Sequence, residues 1–409
     1  MLATAWMLAI GAFVLGSALC GIAGTLPELI VFRVLQGLGG GMVVPITMGI
    51  RRREAGPHRV ERAMIAIALP AALGPILGSV LGGVIVQSWS WHWIFLVNVP
   101  VCVTALVLGY VLIPTAPGQK DQRFDVTGFL LLTPAVVAIA FGVSKAAGGS
   151  GFATPDAWGP LVAGMAPISL FIGHSLRSTD ASLIDVRVFS RRSFGVGSVI
   201  TFMSGFSLYA LMLILPLYYQ IVRGESVLDT GLLLVPQSVG TMLYFGLMRR
   251  LTANLAGRIV VGGGTVLMMI GVLPFARAGA DGDTVVLLAG QLLIGVGFGA
   301  SSFPVLSLAL AGLSHDEAPR GGAAFSIVQR VGSPFGVAVV SVILQTMLND
   351  AITRHERLTA FTGTFWWVFA LGAIPLVVVP FLPGRAREVQ EESGMPGQKP
   401  STTMLVDKR

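Results

Sequence analysis

The sequence predicts an all-α polytopic membrane protein, and its composition and long uncharged runs carry that prediction. Of 409 residues, 54% are hydrophobic and only 11% are charged, and the mean hydropathy is +0.80. Soluble domains carry about 25% charged residues. Uncharged runs of about 20 residues have the length that a helix needs to cross a bilayer. These runs do not alternate as the strands of a membrane barrel do.

Long apolar runs define twelve predicted membrane spans. The spans cover residues 3–24, 27–50, 63–87, 92–113, 125–146, 159–175, 194–220, 229–249, 258–277, 284–311, 320–347 and 361–383. A polar tail at 384–409, rich in Gly, Glu and Gln, is predicted to be disordered.

Lysine and arginine predict how the spans are oriented. If Met1 is cytoplasmic, most loop Lys and Arg fall on the cytoplasmic side, as the positive-inside rule requires. Tryptophans such as Trp93 and Trp158 then lie near outer span ends, which is typical of an interfacial belt. We therefore expect a cell-membrane protein with both termini in the cytoplasm. The net charge of +7 indicates no nucleic-acid partner, because cytoplasmic loops already account for it.

Motifs for enzyme, metal or cofactor chemistry are missing from the sequence. Cys20 and Cys102 lie in apolar runs and are predicted to be packing residues rather than a disulfide or a metal site. Gly295-x-Gly297-x-Gly299 lies inside a span without a strand–turn–helix context, so helix packing is the better interpretation. The sequence therefore predicts no cofactor, no metal site and no enzyme activity.

Arg33 is the strongest functional signal, because it places a charge inside an apolar span. A charge at membrane depth costs on the order of 3 kcal/mol on insertion scales unless it finds a partner or water. Gln36 and Gly37 follow one helical turn later. A residue of this kind marks a functional site by default, and the question is what it pairs with.

The third predicted span carries Gly74-Pro75-x-x-Gly78-Ser79. Glycines at 74, 78 and 82 recur every four residues and share one helix face, which lets a neighbouring helix approach closely. Pro75 removes a backbone hydrogen bond and favours a bend. Plain helix packing remains an equally good interpretation of this pattern.

Taken in order, these motifs resemble the major facilitator superfamily, in its fourteen-helix drug:proton antiporter subfamily. The resemblance covers residues 1–383. It continues through Trp91-His-Trp93-Ile-Phe95-Leu-Val-Asn98-Val-Pro100, Phe124-Asp125-Val-Thr-Gly128, Leu183-Ile-Asp185-Val-Arg187-Val-Phe189, Pro216-Leu-Tyr-Tyr-Gln220, Gly231-Leu-Leu-Leu-Val-Pro236 and Gln329-Arg330-Val-Gly332. Ser79, where the family pattern has a second glycine, departs from the antiporter motif.

The resemblance implies a register for the helices and roles for the motifs. The family carries its arginine motif on the fourth helix, whereas Arg33 lies on the second predicted span, so we expect the first two helices to be missing. It implies proton coupling for Arg33, Gln36 and Gly37, and antiporter function for Gly74, Pro75, Gly78 and Ser79. The family's proton-coupling aspartate would lie on a missing helix. The implied domains are a remnant of the N-terminal half at 1–113, an extra helix pair and linker at 114–180, the C-terminal half at 181–383, and the tail at 384–409.

Other polar residues within spans have weaker signals. Gln237, Gln291 and Arg330 are possible cavity residues, with bonding to a neighbouring helix as the alternative. Lys145 is predicted to snorkel at a span end. Asp125 is predicted to cap the start of its span rather than to bind a ligand.

Three functions remain open from the sequence. The leading hypothesis is proton-coupled efflux of amphipathic small molecules, which are drugs or secreted metabolites, through rocking of two halves about a midplane site. The expected partners are therefore a small hydrophobic or amphipathic substrate, protons and the lipid bilayer. The second hypothesis is an uptake permease or symporter of the same fold. The third is a truncated fragment that does not transport.

Overall fold

The computed structural model describes residues 2–54, 74, 78, 81–85, 88–112, 125–146, 154–177, 185–277, 282–310, 313, 318–349, 351 and 353–382. Every regular element in these ranges is helical. The predicted tail and most of the predicted span 63–87 lie outside them. The α-helices are α1 (Leu2–Cys20), α2 (Leu26–Glu54), α3 (Trp93–Leu96), α4 (Asn98–Leu112), α5 (Val126–Lys145), α6 (Pro155–Arg177), α7 (Arg192–Leu217), α8 (Val227–Leu233), α9 (Val235–Asn254), α10 (Gly257–Arg277), α11 (Thr284–Leu310), α12 (Ala318–Leu348), α13 (Arg354–Gly372) and α14 (Ile374–Val378).

The helices form two compact units. The first unit comprises Met1–Arg123 and Glu225–Ser238, and the second comprises Phe124–Gly224 and Val239–Arg409. In the first unit, α1 lies between α2 and α4 and packs on both. This arrangement places the first half of α2, which carries Arg33, beside α1.

In the second unit, α7 packs against both α11 and α12, and α10 pairs with α11 and α13. The helices α5 and α6 pair with each other, and α5 also packs on α12. A cluster of buried apolar side chains holds this unit together, with Phe194, Val305 and Phe325 among its members. Large side chains such as Leu130 (63% exposed) point outward from α5, as expected of a helix that faces lipid.

Ten helical stretches in the described part of the chain are long and apolar enough to cross a membrane, and α1 adds the shorter apolar stretch Thr4–Cys20. Together they coincide with the predicted spans, apart from 63–87. The prediction of an all-helical polytopic membrane protein is therefore confirmed.

The span ends differ from the prediction where local capping decides them. The last span was expected to begin at 361, but α13 begins at Arg354. Thr353 Oγ1 accepts from Glu356 N at 3.2 Å, and Glu356 Oε2 accepts from Thr353 N at 2.8 Å, which is a capping box. Likewise, the span predicted at 229–249 consists of two helices, α8 and α9, which meet at Leu234.

Two packing and capping predictions are confirmed. Asp125 caps α5, because its Oδ1 accepts from Gly128 N at 2.7 Å. Gly297 and Gly299 are packing residues on α11. A Cβ added at Gly299 would lie 2.7 Å from Tyr244 Cδ1.

Candidate functional site

Arg33 and Gln36 lie on adjacent turns of α2 and contact each other. Arg33 Nη1 donates to Gln36 Oε1 at 3.1 Å. The guanidinium carbon of Arg33 lies 4.4 Å from the centre of the Phe95 ring, which is within the range of a cation–π interaction. Both contacts are favourable to a cation, and both come from uncharged groups.

Gln36 is held in turn by Ser17 of α1. Gln36 Nε2 donates to Ser17 Oγ at 2.9 Å, and Ser17 Oγ donates to the carbonyl oxygen of Phe95 at 2.9 Å. Asn98 Nδ2 makes a longer contact to Ser17 Oγ, at 3.4 Å. Ser17 is fully buried and Gln36 is 5% exposed. A chain of hydrogen bonds, the Arg33–Gln36–Ser17 relay, thus links α1, α2, α3 and α4.

Glycines let α1 and α2 come close enough to form this relay. A Cβ added at Gly16 would lie 2.5 Å from Gln36 N. A Cβ added at Gly39 would lie 2.5 Å from both Ala9 O and Phe13 N. Gly37 is different, because it is exposed and an added Cβ would find open space. The contact between α1 and α2 therefore depends on Gly16 and Gly39.

The charge of Arg33 has no carboxylate beside it among the residues that the structure describes. Glu28 is the acidic residue in the apolar stretch Leu26–Val43 of α2, and it caps the helix instead. Its Oε2 accepts from Gly24 N at 2.9 Å. His174 Nε2 and Asp125 Oδ1 lie 3.1 Å apart. This contact joins α5 to α6 in the second unit. The described part of the chain thus leaves the charge of Arg33 to polar and aromatic neighbours.

The structure describes the glycine–proline motif only at two of its four positions. Gly74 and Gly78 are helical and exposed, and no described atom lies within 4 Å of a Cβ added at either residue. Pro75 and Ser79 lie outside the described residues.

The remaining candidates lie on three different helices, α11, α12 and α9. Gln291 of α11 is fully buried, and its Nε2 donates to Tyr219 Oη at 2.8 Å. Arg330 is exposed on α12. Gln237 is half-buried in the first turn of α9 and belongs to the first unit.

Aromatic rings surround the partner of Gln291. The centroid of Tyr219 lies 5.6 Å from that of Tyr218 and 6.3 Å from that of Phe275. All three rings are fully buried. Gln291 Oε1 is buried without a hydrogen-bond partner in the described part of the chain. Gln291 therefore presents one free acceptor beside a wall of aromatic rings.

Sequence reasoning missed Ser17, which is the centre of the relay. Its only signal is a single hydroxyl next to Gly16 in an apolar run. Such a hydroxyl is common in membrane helices, where it often bonds its own helix. The tyrosine that holds Gln291 lies in the motif Pro216-Leu-Tyr-Tyr-Gln220, but nothing in that motif pairs it with α11.

Comparison with known proteins places these features in context. The sequence profile of the Major Facilitator Superfamily matches residues 2–337. A "Multidrug resistance protein B homolog" of Mycobacterium tuberculosis is 35% identical over 358 residues, which are 86% of this chain and 66% of the relative. A "Putative multidrug resistance protein MdtD" of Klebsiella pneumoniae is 30% identical over 383 residues, which are 92% of this chain and 79% of the relative. The chain thus spans just under two thirds of the length of the mycobacterial protein.

A solved structure shares the fold. The crystal structure of a D-xylose-proton symporter matches with a TM-score of 0.60 and 17% identity, over 94% of this chain and 81% of that one. At this identity the likeness concerns the fold alone.

Proposed function

Because the chain belongs to the Major Facilitator Superfamily, whose profile covers residues 2–337, we propose that it is a secondary transporter that exports amphipathic small molecules in exchange for protons. The predicted major facilitator fold is confirmed by that match and by the likeness to a solved transporter. The names of the relatives, which are multidrug resistance proteins, support the choice of substrate class. We place the chain in the plasma membrane with both termini in the cytoplasm.

The Arg33–Gln36–Ser17 relay is the observation that carries the proposal of proton coupling. A guanidinium at membrane depth stabilises a nearby anion and lowers the affinity of that anion for a proton. When the acid is protonated, the guanidinium needs other partners, and Gln36 Oε1 at 3.1 Å and the Phe95 ring at 4.4 Å supply them. The relay therefore suits an arginine that alternates between an ionised acid and neutral groups. In the fourteen-helix arrangement that the sequence resembles, α2 is the fourth membrane helix, and the acid would lie on an earlier helix.

The other candidates have roles in the same proposal. Gly37, exposed on α2, and the motif Gly74, Pro75, Gly78 and Ser79 supply surfaces without bulky side chains, along which helices slide during alternating access. Gln237, Gln291 and Arg330 are proposed contacts for the polar part of a substrate. Gln291 has the best support, because it is buried with an unused acceptor beside Tyr219.

Transport into everted membrane vesicles tests the direction and the coupling. Respiration acidifies the lumen of such vesicles, so an antiporter should load a fluorescent amphipathic cation, and an uncoupler should abolish the loading. In a chain completed with the two helices that the resemblance implies, Arg33→Ala should abolish loading at unchanged protein level. The matched control is Gly11→Ala on α1, because a Cβ there meets nothing within 4 Å.

The alternatives give different outcomes in the same assay. A proton gradient that empties preloaded everted vesicles would identify an uptake symporter. Absence of any gradient-dependent flux from the 409-residue chain would favour a fragment that does not transport. Equal loading by Arg33→Ala and the unchanged protein would remove Arg33 from the mechanism.

A further inference from the structure

We propose that the second unit binds a single water molecule at membrane depth, in a cavity between α7, α10, α11 and the junction of α13 with α14. The cavity has a volume of about 10 Å³. This is close to the ~10–15 Å³ that one water needs. Hydroxyl groups from three helices line it, and these belong to Ser204, Ser207, Thr265 and Ser301. The proposal does not depend on the transported substrate or on proton coupling.

Ser207 is the first observation that points to a ligand. Its side chain is fully buried, and its Oγ has no hydrogen-bond partner in the described part of the chain. A buried hydroxyl without a partner is destabilising, because it has lost its hydrogen bonds to water. Since Ser207 lines the cavity, a molecule in the cavity that accepts a hydrogen bond removes this cost.

The neighbouring hydroxyls determine what that molecule is. Thr265 Oγ1 donates to Val261 O at 3.0 Å, and Ser301 Oγ donates to Phe298 O at 3.2 Å. Both hydroxyls have used their protons and can only accept further hydrogen bonds. A water molecule donates to these two oxygens and accepts from Ser207, which matches the needs of all three groups.

A cation fits less well. It cannot accept the proton of Ser207, and none of the residues that line the cavity carries a formal charge. An ion in an apolar interior needs compensating charge or full coordination. The donors and acceptors of the cavity therefore favour a neutral molecule over a sodium ion of similar size.

The helix junction beside the cavity is an independent observation. The membrane span Arg354–Phe381 is interrupted where α13 ends at Gly372 and α14 begins at Ile374. Pro375 follows and has no backbone N–H to donate. Ala373, between the two helices, keeps right-handed helical dihedral angles, and its N–H donates to Phe369 O at 3.1 Å, so the junction is a local break at a proline. Gly372 and Pro375 both line this cavity.

Two methionines in the cavity wall allow a direct test by X-ray radiolysis. In the full chain in lipid nanodiscs, radiolysis converts bound water into hydroxyl radicals, which oxidise the nearest side chains. Met268 is 5% exposed and lines the cavity, whereas its neighbour Met269 is half-buried and does not. We expect more oxidation at Met268 than at Met269, with oxygen-18 incorporated from labelled water. Oxidation that follows exposure, with Met269 above Met268, would overturn the proposal.

A glycine substitution provides the matched variant. A Cβ at Gly372 would lie 3.7 Å from Ser207 Oγ, so Gly372→Ala fills the cavity without overlap. It should lower oxidation of Met203, which also lines the cavity, and of Met268 several-fold. Gly263→Ala on α10, where a Cβ meets nothing within 4 Å, should leave oxidation unchanged. Equal oxidation in Gly372→Ala and the unchanged protein would contradict a bound water.

Sodium is tested on the same two proteins. Exchange of sodium for choline should leave both the oxidation and the thermal midpoint unchanged. A sodium-dependent rise in the thermal midpoint that Gly372→Ala abolishes would instead identify a cation site and overturn the assignment of water. The measurement on Met268 and Met269 in the unchanged protein remains decisive if Gly372→Ala fails to fold.

Discussion

At the scale of single residues, the hydroxyl of Ser17 holds together groups that come from separate helices. Ser17 Oγ donates to the carbonyl oxygen of Phe95, and Ser17 Oγ itself accepts from Gln36 Nε2 at 2.9 Å. Since Gln36 also accepts from Arg33, the position of the guanidinium depends on a serine that it does not touch. Ser17 is therefore a positioning residue.

Ser17→Ala should leave the buried amide of Gln36 without its acceptor, at a cost of about 1–3 kcal/mol. We expect a lower thermal midpoint and a shift in the pH at which transport is half-maximal, because Arg33 loses its fixed position. Ser17→Thr, which keeps the hydroxyl, should restore the pH profile. Ser169→Ala is the control, since Ser169 is exposed and donates only to Met165 O of its own helix. If Ser17→Ala lowers stability but leaves the pH profile unchanged, the role of Ser17 is purely structural.

The sequence singles out Arg33 as a candidate functional residue, whereas it gives no such signal for Ser17. A lone charge in an apolar run is conspicuous because of its cost at membrane depth. A lone hydroxyl is not, since it can bond its own helix anywhere. The partners of Ser17 are 19 and 78 residues away in the chain. Such pairs follow only from the tertiary packing of α1, α2 and α3.

At the scale of helices, the packing of α12 on α7 depends on glycines at the crossing. A Cβ at Gly332 would overlap the carbonyl oxygen of Phe202, and a Cβ at Gly205 would lie 2.5 Å from Gln329 O. Backbone therefore meets backbone here, as is common where membrane helices pack through small residues. This gives a structural reason for the glycine in Gln329-Arg330-Val-Gly332.

Gly332→Ala should force α7 and α12 apart, with an overpacking cost of about 1–3 kcal/mol. Gly322→Ala on the same helix is the control, because a Cβ there meets nothing within 4 Å. Alanine favours a helix over glycine by up to about 1 kcal/mol, so the control should be neutral or slightly stabilised. Thermal unfolding of the purified protein measures both. A similar loss of stability in the two variants would show that the crossing is not what makes Gly332 sensitive.

The location of each membrane span was easier to predict than the residues at which its helix begins and ends. Apolar run length identified the spans because the bilayer imposes one length on all of them. The ends depend on caps, and Thr353 with Glu356 starts α13 seven residues before the predicted 361. The spacing Thr-x-x-Glu is a known start signal, so this difference could have been read from the sequence. The interruption at Leu234, between α8 and α9, lies two residues before Pro236, which has no backbone N–H to donate.

At the scale of the whole molecule, ordered motifs predicted the family because several weak signals occur in one sequence order. Each motif alone admits a bland interpretation in helix packing. The structure gives several of them local roles: Asp125 caps α5, Asp185 caps the 3₁₀ helix Val186–Ser190, and Gly332 sits at a helix crossing. The predicted division into domains and the predicted orientation stay predictions, since neither follows from contacts within the units.

Orientation can be tested on α10, whose 21 residues span about 31 Å, enough to cross the bilayer core. Arg249, Arg250 and Arg258 near its start predict a cytoplasmic end by the positive-inside rule. Leu255 before the helix and Arg277 at its end are both exposed. In a background without Cys20 and Cys102, a membrane-impermeant maleimide added to intact cells should label Arg277→Cys and spare Leu255→Cys. Everted vesicles should reverse this pattern. Labelling of Leu255→Cys in intact cells would invert the proposed topology.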